Sequence, residues 1–325
     1  MKILYTCDDN YIWLMGISVI SLFENNKEVD ELDVFLLGDG ISSENREILN
    51  GIAERYNRLV KVIDVPKFNI PETIVSARWP LSAFIRLFAG ELLPNNIERV
   101  LYLDCDTVVC GEISALEKWN MNEKIFCGVK DCIGALHKQN IGIPYDSPYI
   151  NAGVLLIDLE KLRNIDIYDE INDYLKKYEG VISYADQDIL NGVFNKEIGY
   201  LMPKYNVMTI DVAHSYKDMK LLRRPTGFYS QTEIEEAVND PSLIHFTTNM
   251  TIIRPWYSNS NHPLKKQFVK YWQVSPWKNR ELSELKLNYI VMILKLIQIF
   301  PNCIAYRILG FVHSVLKPWY VKWIK

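Results

Sequence analysis

Short apolar runs alternate with helical patterns through the first two thirds of the chain, and this alternation restricts the fold more than any other feature. The runs at 3–6, 32–37 and 59–63 predict buried strands, and the stretches at 14–23 and 43–56 predict the helices between them. Strands that alternate with helices build a largely parallel sheet with helices on its faces. The sequence therefore predicts an α/β protein with one central sheet.

The run at 99–103 has the composition of a strand that is covered on both faces, and it ends at Asp104. Ligands of open α/β sheets bind at the carboxyl ends of the strands, so this carboxylate is well placed for chemistry. A further strand is predicted at 149–157 and an amphipathic helix at 169–178.

Two aspartates follow the strand at 99–103 with one residue between them. Side chains at positions i and i+2 of an extended chain point to the same side, so Asp104 and Asp106 can approach one cation. Mg²⁺ and Mn²⁺ favour a few carboxylates together with phosphate oxygens of a substrate. The pair predicts a cation site shared with a diphosphate, and the alternative is a solvated acidic turn.

Other polar residues stand at points where strands begin or end. Thr6, Asp8 and Asn10 follow the first strand, where they can contact a base and a ribose or only cap a turn. Arg86 is a charge in an otherwise apolar helical segment, which predicts either a core ion pair or a substrate clamp. Asn151 lies in a predicted buried strand and suits the recognition of hydroxyl groups.

Two further features have a purely structural interpretation when each is taken alone. Asp186, Gln187 and Asp188 precede an apolar pair, as in a helix that begins with stabilising acidic groups. His245 follows a strand-like pair, and a single histidine in such a place is more often structural than a metal ligand.

Together and in this order, the segments resemble the retaining glycosyltransferases of family 8, a group with bacterial lipooligosaccharide galactosyl- and glucosyltransferases and glycogenin among its members. The resemblance runs from Met1 to about Trp256. It implies a GT-A type fold, with a mixed, mostly parallel central sheet flanked by helices that binds a nucleotide-diphospho-sugar. We expect a C-terminal helical tail after this domain.

The resemblance also implies roles for individual residues. The metal ligands, for Mn²⁺ or Mg²⁺, are Asp104, Asp106 and His245. The residues that match the nucleotide-contacting segment are Thr6, Asp8 and Asn10. The residues that match positions holding the donor sugar are Arg86, Asp131, Asn151, Asp186 and Gln187.

One segment departs from the family pattern. The family commonly has a glycine three residues after the metal-binding histidine and then Lys-Pro-Trp, whereas this chain lacks the glycine, has a longer loop and reads Arg254-Pro255-Trp256. Arginine can bind phosphate with two parallel hydrogen bonds, so Arg254 is expected to keep the contact to the diphosphate.

The implied reaction transfers galactose or glucose from a UDP-sugar to a glycan or lipid-linked acceptor in the synthesis of cell-surface polysaccharide or lipopolysaccharide. The candidates beside the anomeric carbon are Gln187, Asp186 and Asp188, and the resemblance favours Gln187. An amide is a poor nucleophile, which favours attack on the face that the diphosphate leaves. The alternatives are a non-catalytic nucleotide-sugar binding protein and a nucleotide-sugar hydrolase.

The charge is distributed unevenly. The net charge of −4 excludes binding of nucleic acid through bulk charge. The last forty residues have no acidic side chain and six basic ones, which are Lys286, Lys295, Arg307, Lys317, Lys322 and Lys325. We expect a catalytic domain at 1–280 and a basic, aromatic segment at 281–325.

The apolar stretch at 289–294 is too short to span a bilayer, so the segment is expected to lie on an anionic membrane surface. The alternative is a helical hairpin packed on the domain. The first residues lack the apolar core of a signal peptide, which predicts a cytoplasmic protein on the inner face of the cell membrane.

Overall fold

A computed structural model describes residues 1–66, 84–178, 181–286, 293–294, 296–297 and 299–323. Its described residues form a seven-stranded sheet in the order β3-β2-β1-β4-β7-β6-β8 and a three-stranded sheet in the order β5-β10-β9. The large sheet consists of β1 Lys2–Asp8, β2 Asp33–Asp39, β3 Leu59–Asp64, β4 Arg99–Leu103, β6 Phe126–Lys130, β7 Ile150–Asp158 and β8 Ile198–Tyr200. The small sheet consists of β5 Thr107–Val109, β9 Val207–Met208 and β10 Leu243–His245.

The large sheet is mixed but mostly parallel, as predicted. β7 runs antiparallel to both of its neighbours, β4 and β6, and every other pairing within this sheet is parallel. The reversal matters because β7 begins at the edge where β1, β4 and β6 end. Asn151, near the start of β7, therefore lies at the same edge as Asp8 and Asp104.

Helices cover both faces of the large sheet. The α-helices of the described residues are α1 Ile12–Asn25, α2 Ser43–Arg55, α3 Ala89–Leu92, α4 Ala135–Asn140, α5 Leu159–Arg163, α6 Ile167–Tyr178, α7 Ala185–Val193, α8 Thr209–Ala213, α9 Tyr216–Arg223, α10 Gln231–Asn239, α11 Lys265–Trp272, α12 Asn302–Phe311 and α13 Lys317–Trp323. Each predicted strand and helix is present with ends shifted by at most two residues where the structure describes it.

Helix α1 joins the two sheets through a buried hydroxyl. The Ser18 side chain lies 2.9 Å from the Tyr5 hydroxyl of β1 and 3.0 Å from the Thr107 hydroxyl of β5. A buried hydroxyl needs such partners, so these contacts fix the position of the small sheet on the large one. The sequence did not indicate the small sheet, whose strands are two or three residues long and pair over long sequence separations.

Two segments add to or restrict what the sequence indicated. The structure has a helix before residue 280, α11, which the sequence did not indicate and which packs Phe268 and Tyr271 into the main core. Arg86 lies in a 3₁₀ helix, Ile85–Phe88, and the preceding residues 81–83 lie outside the described part of the chain.

The C-terminal tail packs against the domain by one face. α12 and α13, joined by a π-helix at Val312–Leu316, lie on α9 and α4. Asn140 of α4 donates to the carbonyl oxygen of Pro318 over 2.8 Å. The alternative prediction, in which the tail packs on the domain, therefore holds for the face that contacts α9 and α4. The opposite face leaves large apolar side chains exposed.

No helix in the described ranges is both long and apolar enough to cross a membrane. Residues 289–292 of the apolar stretch lie outside those ranges, as do the basic residues Lys295 and Lys325.

Candidate active site

Three side chains that can bind a metal ion meet where the two sheets join. Asp104 and Asp106 follow β4, and β10 places His245 opposite Thr107 of β5. The His245 Nε2 atom lies 3.1 Å from Asp106 Oδ1 and 3.6 Å from Asp104 Oδ2. One ligand atom from each of the three residues lies within 4.8 Å of the other two.

The chemistry of this cluster fits a hard divalent cation. Two carboxylates and an imidazole are a suitable set for Mn²⁺, and carboxylates also suit Mg²⁺. The second ring nitrogen of His245, Nδ1, lies 3.2 Å from the Asn206 side-chain oxygen, which orients Nε2 toward the aspartates. The backbone N–H of Phe246 donates to the Asp106 carbonyl over 3.0 Å and keeps the two segments together.

The charges in the cluster favour one another. Burial opposes ionisation of Asp106, but His245 and Arg254 outweigh it and lower the pKa of this carboxyl to about 2. Burial would lower the pKa of His245, whereas Asp106 and Asp104 raise it to above its usual value. A cation that binds Nε2 must replace the imidazole proton, because a metal ligand uses the neutral ring.

Gly153 of β7 leaves the space that the cluster occupies. A Cβ atom at this position would lie 2.2 Å from His245 Cε1 and 2.7 Å from Asp104 Oδ2. The Asp104 N–H also donates to the Gly153 carbonyl over 2.8 Å. The absence of a side chain at position 153 therefore allows β7 to approach the cluster closely.

Arg86 connects the metal-binding cluster with α7. Its Nη1 atom lies 2.9 Å from Asp104 Oδ1, and its Nε atom lies 3.1 Å from Asp186 Oδ2. Nη1 also donates to the Ala152 carbonyl over 2.7 Å, and the guanidinium lies 4.5 Å from the centre of the Tyr102 ring. The sequence left two interpretations of Arg86 open, a core ion pair and a substrate clamp. The two are compatible, because the buried ion pairs of Arg86 lie at the candidate site.

A hydrogen-bonded group of amides and a carboxylate lies beside the cluster. The Asn151 side-chain N–H donates to Gln187 Oε1 over 3.0 Å, and Gln187 Nε2 donates to Asp131 Oδ2 over 3.0 Å. The backbone N–H of Ala152 donates to the same Gln187 oxygen over 3.1 Å. The structure therefore brings together three residues that the family resemblance assigned to the donor sugar.

The neighbouring aspartates of α7 have different surroundings. Residues two apart on a helix point about 200° apart around its axis. Asp186 accordingly faces Arg86, and burial raises the pKa of its carboxyl to about 6 although Arg86 acts in the opposite direction.

Asp188 points into the protein and does not face the site. Its side chain is fully buried and accepts hydrogen bonds from His137, Tyr149 and the N–H groups of Ser183 and Tyr184, at 2.7–2.9 Å. Four partners on two oxygens define a structural carboxylate, which corrects the view of Asp188 as a group beside the reacting sugar.

The residues at the end of β1 and directly after it lie at the same edge of the sheet. Thr6 is buried with its hydroxyl 3.2 Å from that of Tyr102, while Asn10 is exposed. Asp8 accepts from the Asn10 N–H over 3.0 Å, so the alternative of a capped turn also holds at this point. Among the described residues, no hydrogen bond or ion pair joins Asp8 or Asn10 to the metal-binding cluster.

Arg254 reaches the cluster from the loop after β10. Its Nη2 atom lies 3.5 Å from Asp106 Oδ2, and its guanidinium lies 5.2 Å from the centre of the Trp256 ring. The longer loop thus still places a cation next to an aspartate of the cluster, where a phosphate group of a bound nucleotide would find a bidentate donor.

Three residues at the site escaped the sequence analysis. Tyr102 donates to Asp104 Oδ1 over 2.6 Å, and Asn206 donates to Asn151 Oδ1 over 2.9 Å. Tyr11 is 48% exposed, and burial raises the pKa of its hydroxyl while Arg254 and Asp106 act on it electrostatically. Of these three, only Tyr102 could have been placed at the site from the sequence. It stands two residues before Asp104, so both side chains point to the same side of the strand.

The chain is similar over most of its length to known sugar transferases. Residues 2–260 match the sequence profile of glycosyl transferase family 8, so the chain belongs to this family and is a glycosyltransferase. The lipopolysaccharide 1,2-glucosyltransferase of Escherichia coli is 26% identical over 281 residues, covering 84% of this chain and 78% of that protein. General stress protein A of Bacillus subtilis is 24% identical over 280 residues, covering 85% and 94% respectively.

A solved structure supports the fold. The galactosyltransferase LgtC, in complex with donor and acceptor sugar analogues, superposes with a TM-score of 0.69 at 24% sequence identity. The match covers 86% of this chain and all of that chain. The predicted GT-A type fold is confirmed by this similarity.

Proposed function

We propose that the protein is a retaining, metal-dependent hexosyltransferase that moves galactose or glucose from a UDP-sugar to a glycan or lipid-linked acceptor in the synthesis of cell-surface polysaccharide or lipopolysaccharide. The observation that carries the proposal is the cluster of Asp104, Asp106 and His245 with the Arg254 guanidinium 3.5 Å from Asp106. A cation and an arginine at one point form a binding site for a diphosphate.

The residues of the chain would stabilise the departing diphosphate. Mn²⁺ or Mg²⁺, held by the cluster, would supply positive charge to the leaving oxygen. Arg254, which lies beside Asp106, would donate hydrogen bonds to the phosphates. The nucleotide would contact Thr6, Asp8, Asn10 and Tyr11. Preorganised groups of this kind act where negative charge develops in the transition state.

The sugar would lie over the amide group. Asn151, Asp131 and Asp186 can bind its hydroxyls, and Arg86 fixes Asp186 and Asp104 relative to each other. Gln187 lies between Asn151 and Asp131, where its amide can stabilise the positive charge that develops on the sugar. Because an amide is a poor nucleophile, we favour attack by the acceptor on the face that the diphosphate leaves.

The reaction is tested by UDP release with Mn²⁺ from UDP-galactose, UDP-glucose and UDP-N-acetyl sugars. Release that depends on an added acceptor supports transfer. Release without an acceptor indicates a hydrolase, and binding of UDP without any release indicates a non-catalytic protein. A covalent glycosyl adduct on Gln187, detected by mass spectrometry, would contradict same-face attack.

The metal requirement is tested separately. Asp106→Asn removes one hard ligand, so turnover that depends on Mn²⁺ should be lost while the fold is retained. Full activity after chelation with EDTA would rule out the metal-dependent mechanism. The names of the relatives include both a glucosyltransferase and a galactosyltransferase, and the UDP-sugar screen distinguishes between these donors.

We also propose that a catalytic domain at 1–280 attaches through the segment 281–325 to the cytoplasmic, inner face of the cell membrane. The exposed face of the tail, here called the outer face, consists of large apolar side chains that are 43–74% exposed, namely Ile304, Ile308, Phe311, Trp319, Tyr320 and Trp323. Basic residues flank it, which suits an anionic lipid surface.

Sedimentation with vesicles tests this attachment. The wild type should pellet with vesicles of phosphatidylglycerol and remain in solution with vesicles of phosphatidylcholine. The double substitution Trp319→Ala and Trp323→Ala should weaken the first interaction, and Tyr145→Ala, at a side chain 53% exposed elsewhere, should not. Equal pelleting of all three proteins would contradict the proposal.

A further inference from the structure

We propose that the tail has a second role, in which its buried face positions two segments of the active site. This inner face consists of Ala305, Tyr306, Leu309, Gly310 and Ser314. The inference rests on the proposed function, because the segments it would hold carry Arg254 and Gln187. The residues of the inner face act through these segments and touch no substrate.

The inner face packs closely against α9. Leu222 of α9 forms a small apolar core with Ala305, Tyr306 and Leu309. A Cβ atom at Gly310 would lie 1.8 Å from the carbonyl oxygen of Leu221, so only glycine permits this approach.

Polar contacts also hold the inner face of the tail against the domain. The hydroxyl of Ser314 donates to the carbonyl of Arg223 over 2.8 Å. The ring of Tyr306 packs edge-on against that of His214, with centres 5.3 Å apart. Apolar packing and hydrogen bonds together make the tail a fixed part of the protein on this side.

The first segment in contact with the tail is the loop that carries Arg254. Met250, in the middle of this loop, packs against the core of Leu222 and the inner face. The loop is tied at its start, where Thr209 donates to the Thr247 carbonyl over 2.7 Å, and near its end, where Ile253 N–H donates to Asn261 over 2.7 Å.

Between these ties the Ile252 N–H donates to the Asn249 carbonyl over 2.8 Å, and the Asn261 side chain donates to the Thr251 carbonyl over 3.1 Å. Asn249 is 2% exposed, and its side-chain amide has no hydrogen-bond partner. The Met250 backbone has a φ of +40°, which a methionine adopts only when its surroundings enforce it. Packing of Met250 against Leu222 and the inner face therefore adds to these hydrogen bonds in holding the middle of the extended loop, and with it the direction in which Arg254 points.

The second segment is the start of α7. The Tyr184 hydroxyl lies 3.4 Å from His313 Nε2 in the tail, and the same nitrogen contacts Arg223. The Tyr184 N–H donates to Asp188 Oδ2 over 2.9 Å, which joins it to α7. Ala185 has a φ of +47°, a strained conformation immediately before Asp186 and Gln187. The tail thus supports the turn that aims both side chains.

Substitutions on the two faces of the tail separate this role from membrane attachment. Gly310→Val should force the inner face away from Leu221 and weaken the binding of UDP with Mn²⁺ about tenfold, as loss of supporting contacts commonly does. Amide exchange should increase in the peptides that contain 246–254 and 183–193. Trp323→Ala, on the outer face, should leave UDP affinity and both exchange rates unchanged.

Met250→Ala provides a milder probe should Gly310→Val fail to fold. It should weaken UDP binding and raise KM for the UDP-sugar several-fold, and Met250→Leu should restore both values, because it refills the contact. Isothermal titration with UDP and Mn²⁺ measures the affinities.

The outcomes distinguish the two proposals. Wild-type affinity for UDP in both Met250→Ala and a folded Gly310→Val would overturn the positioning role. A wild type that binds no UDP would instead overturn the proposed function on which it rests.

Discussion

Arg86 donates to Asp104 over 2.9 Å from a position where both side chains are largely buried. The same guanidinium faces Asp186, so one cation neutralises two carboxylates that belong to different elements. Asp104 follows β4, whereas Asp186 lies in the first turn of α7. This arrangement joins the metal-binding cluster to the helix of Gln187 in a single electrostatic unit.

Arg86→Met should destabilise the protein by about 3–5 kcal/mol, because Asp186 and Asp104 lose the buried guanidinium that they share. Urea denaturation measures this change. The matched control is Arg46→Met, which breaks an exposed ion pair with Asp64 and should change the free energy of unfolding by less than about 1 kcal/mol. Equal effects of the two substitutions would show that the Arg86 pair has no special weight in the fold.

Gly153→Ala should abolish tight Mn²⁺ binding. The added methyl group would overlap His245 Cε1 and Asp104 Oδ2, so the ligands must separate. Titration calorimetry with Mn²⁺ checks this result, and circular dichroism checks the fold. Gly51→Ala is the control, since no atom lies within 4 Å of a Cβ at that position and alanine favours its helix. Mn²⁺ affinity equal to that of the wild type would contradict the assignment of the cluster.

Substitution of Gln187 should mainly lower activity, whereas substitution of Asp188 should mainly lower stability. Gln187→Ala should lower kcat about 100-fold with little change in stability, because its amide faces the proposed sugar site. Asp188→Asn should instead lower the free energy of unfolding by about 3–5 kcal/mol, since His137 and two backbone N–H groups lose a buried charged partner. A stable, inactive Asp188→Asn protein would return this carboxylate to the catalytic candidates.

Asp211 should make stability depend on pH. Burial raises the pKa of its carboxyl from 3.8 to about 7, the N–H of Met208 acts in the opposite direction, and Asp131 adds to the rise. The folded protein therefore retains a proton that the unfolded chain loses, so this group stabilises the fold below pH 4 and ceases to do so as the pH rises through 7.

Asp211→Asn consequently should raise stability relative to the wild type at pH 8 by about 2–4 kcal/mol, and should have little effect at pH 4. Urea denaturation at both values measures the difference. A stability change of the same size at pH 4 and pH 8 would mean that Asp211 does not titrate in this interval.

Local patterns were sufficient for the parts of the site that depend on nearby residues. The spacing of Asp104 and Asp106 after an apolar strand indicated their common direction, since alternation along a strand is a property of the backbone alone. The positions of the major strands followed from apolar runs for the same reason. Arg86 was recognised as unusual because it is a charge among apolar neighbours, but its partners came from segments distant in the sequence.

Long-range pairing was not accessible in this way. His245 reaches the aspartates because β10 pairs with β5 over more than 130 residues, and strands of three residues leave almost no pattern. Asp188 was grouped with Asp186 by sequence proximity, whereas the helical period places them on opposite faces. The tail was expected on a membrane surface, and its glycine at position 310 gave no indication that one face is packed.

The reversal of β7 has a consequence for how this enzyme can diversify. Between two parallel neighbouring strands, the connecting segment must run back along the length of the sheet to the edge where the first strand began. Here β6 ends at Lys130 and β7 begins at Ile150, directly opposite it. The intervening segment therefore leaves and re-enters the sheet at the active-site edge. Its exposed turn around Tyr145 can change without moving a strand, whereas its buried residues His137 and Tyr149 hold the Asp188 carboxylate. Substrate preference can therefore vary at this turn while the buried part of the segment keeps the fold.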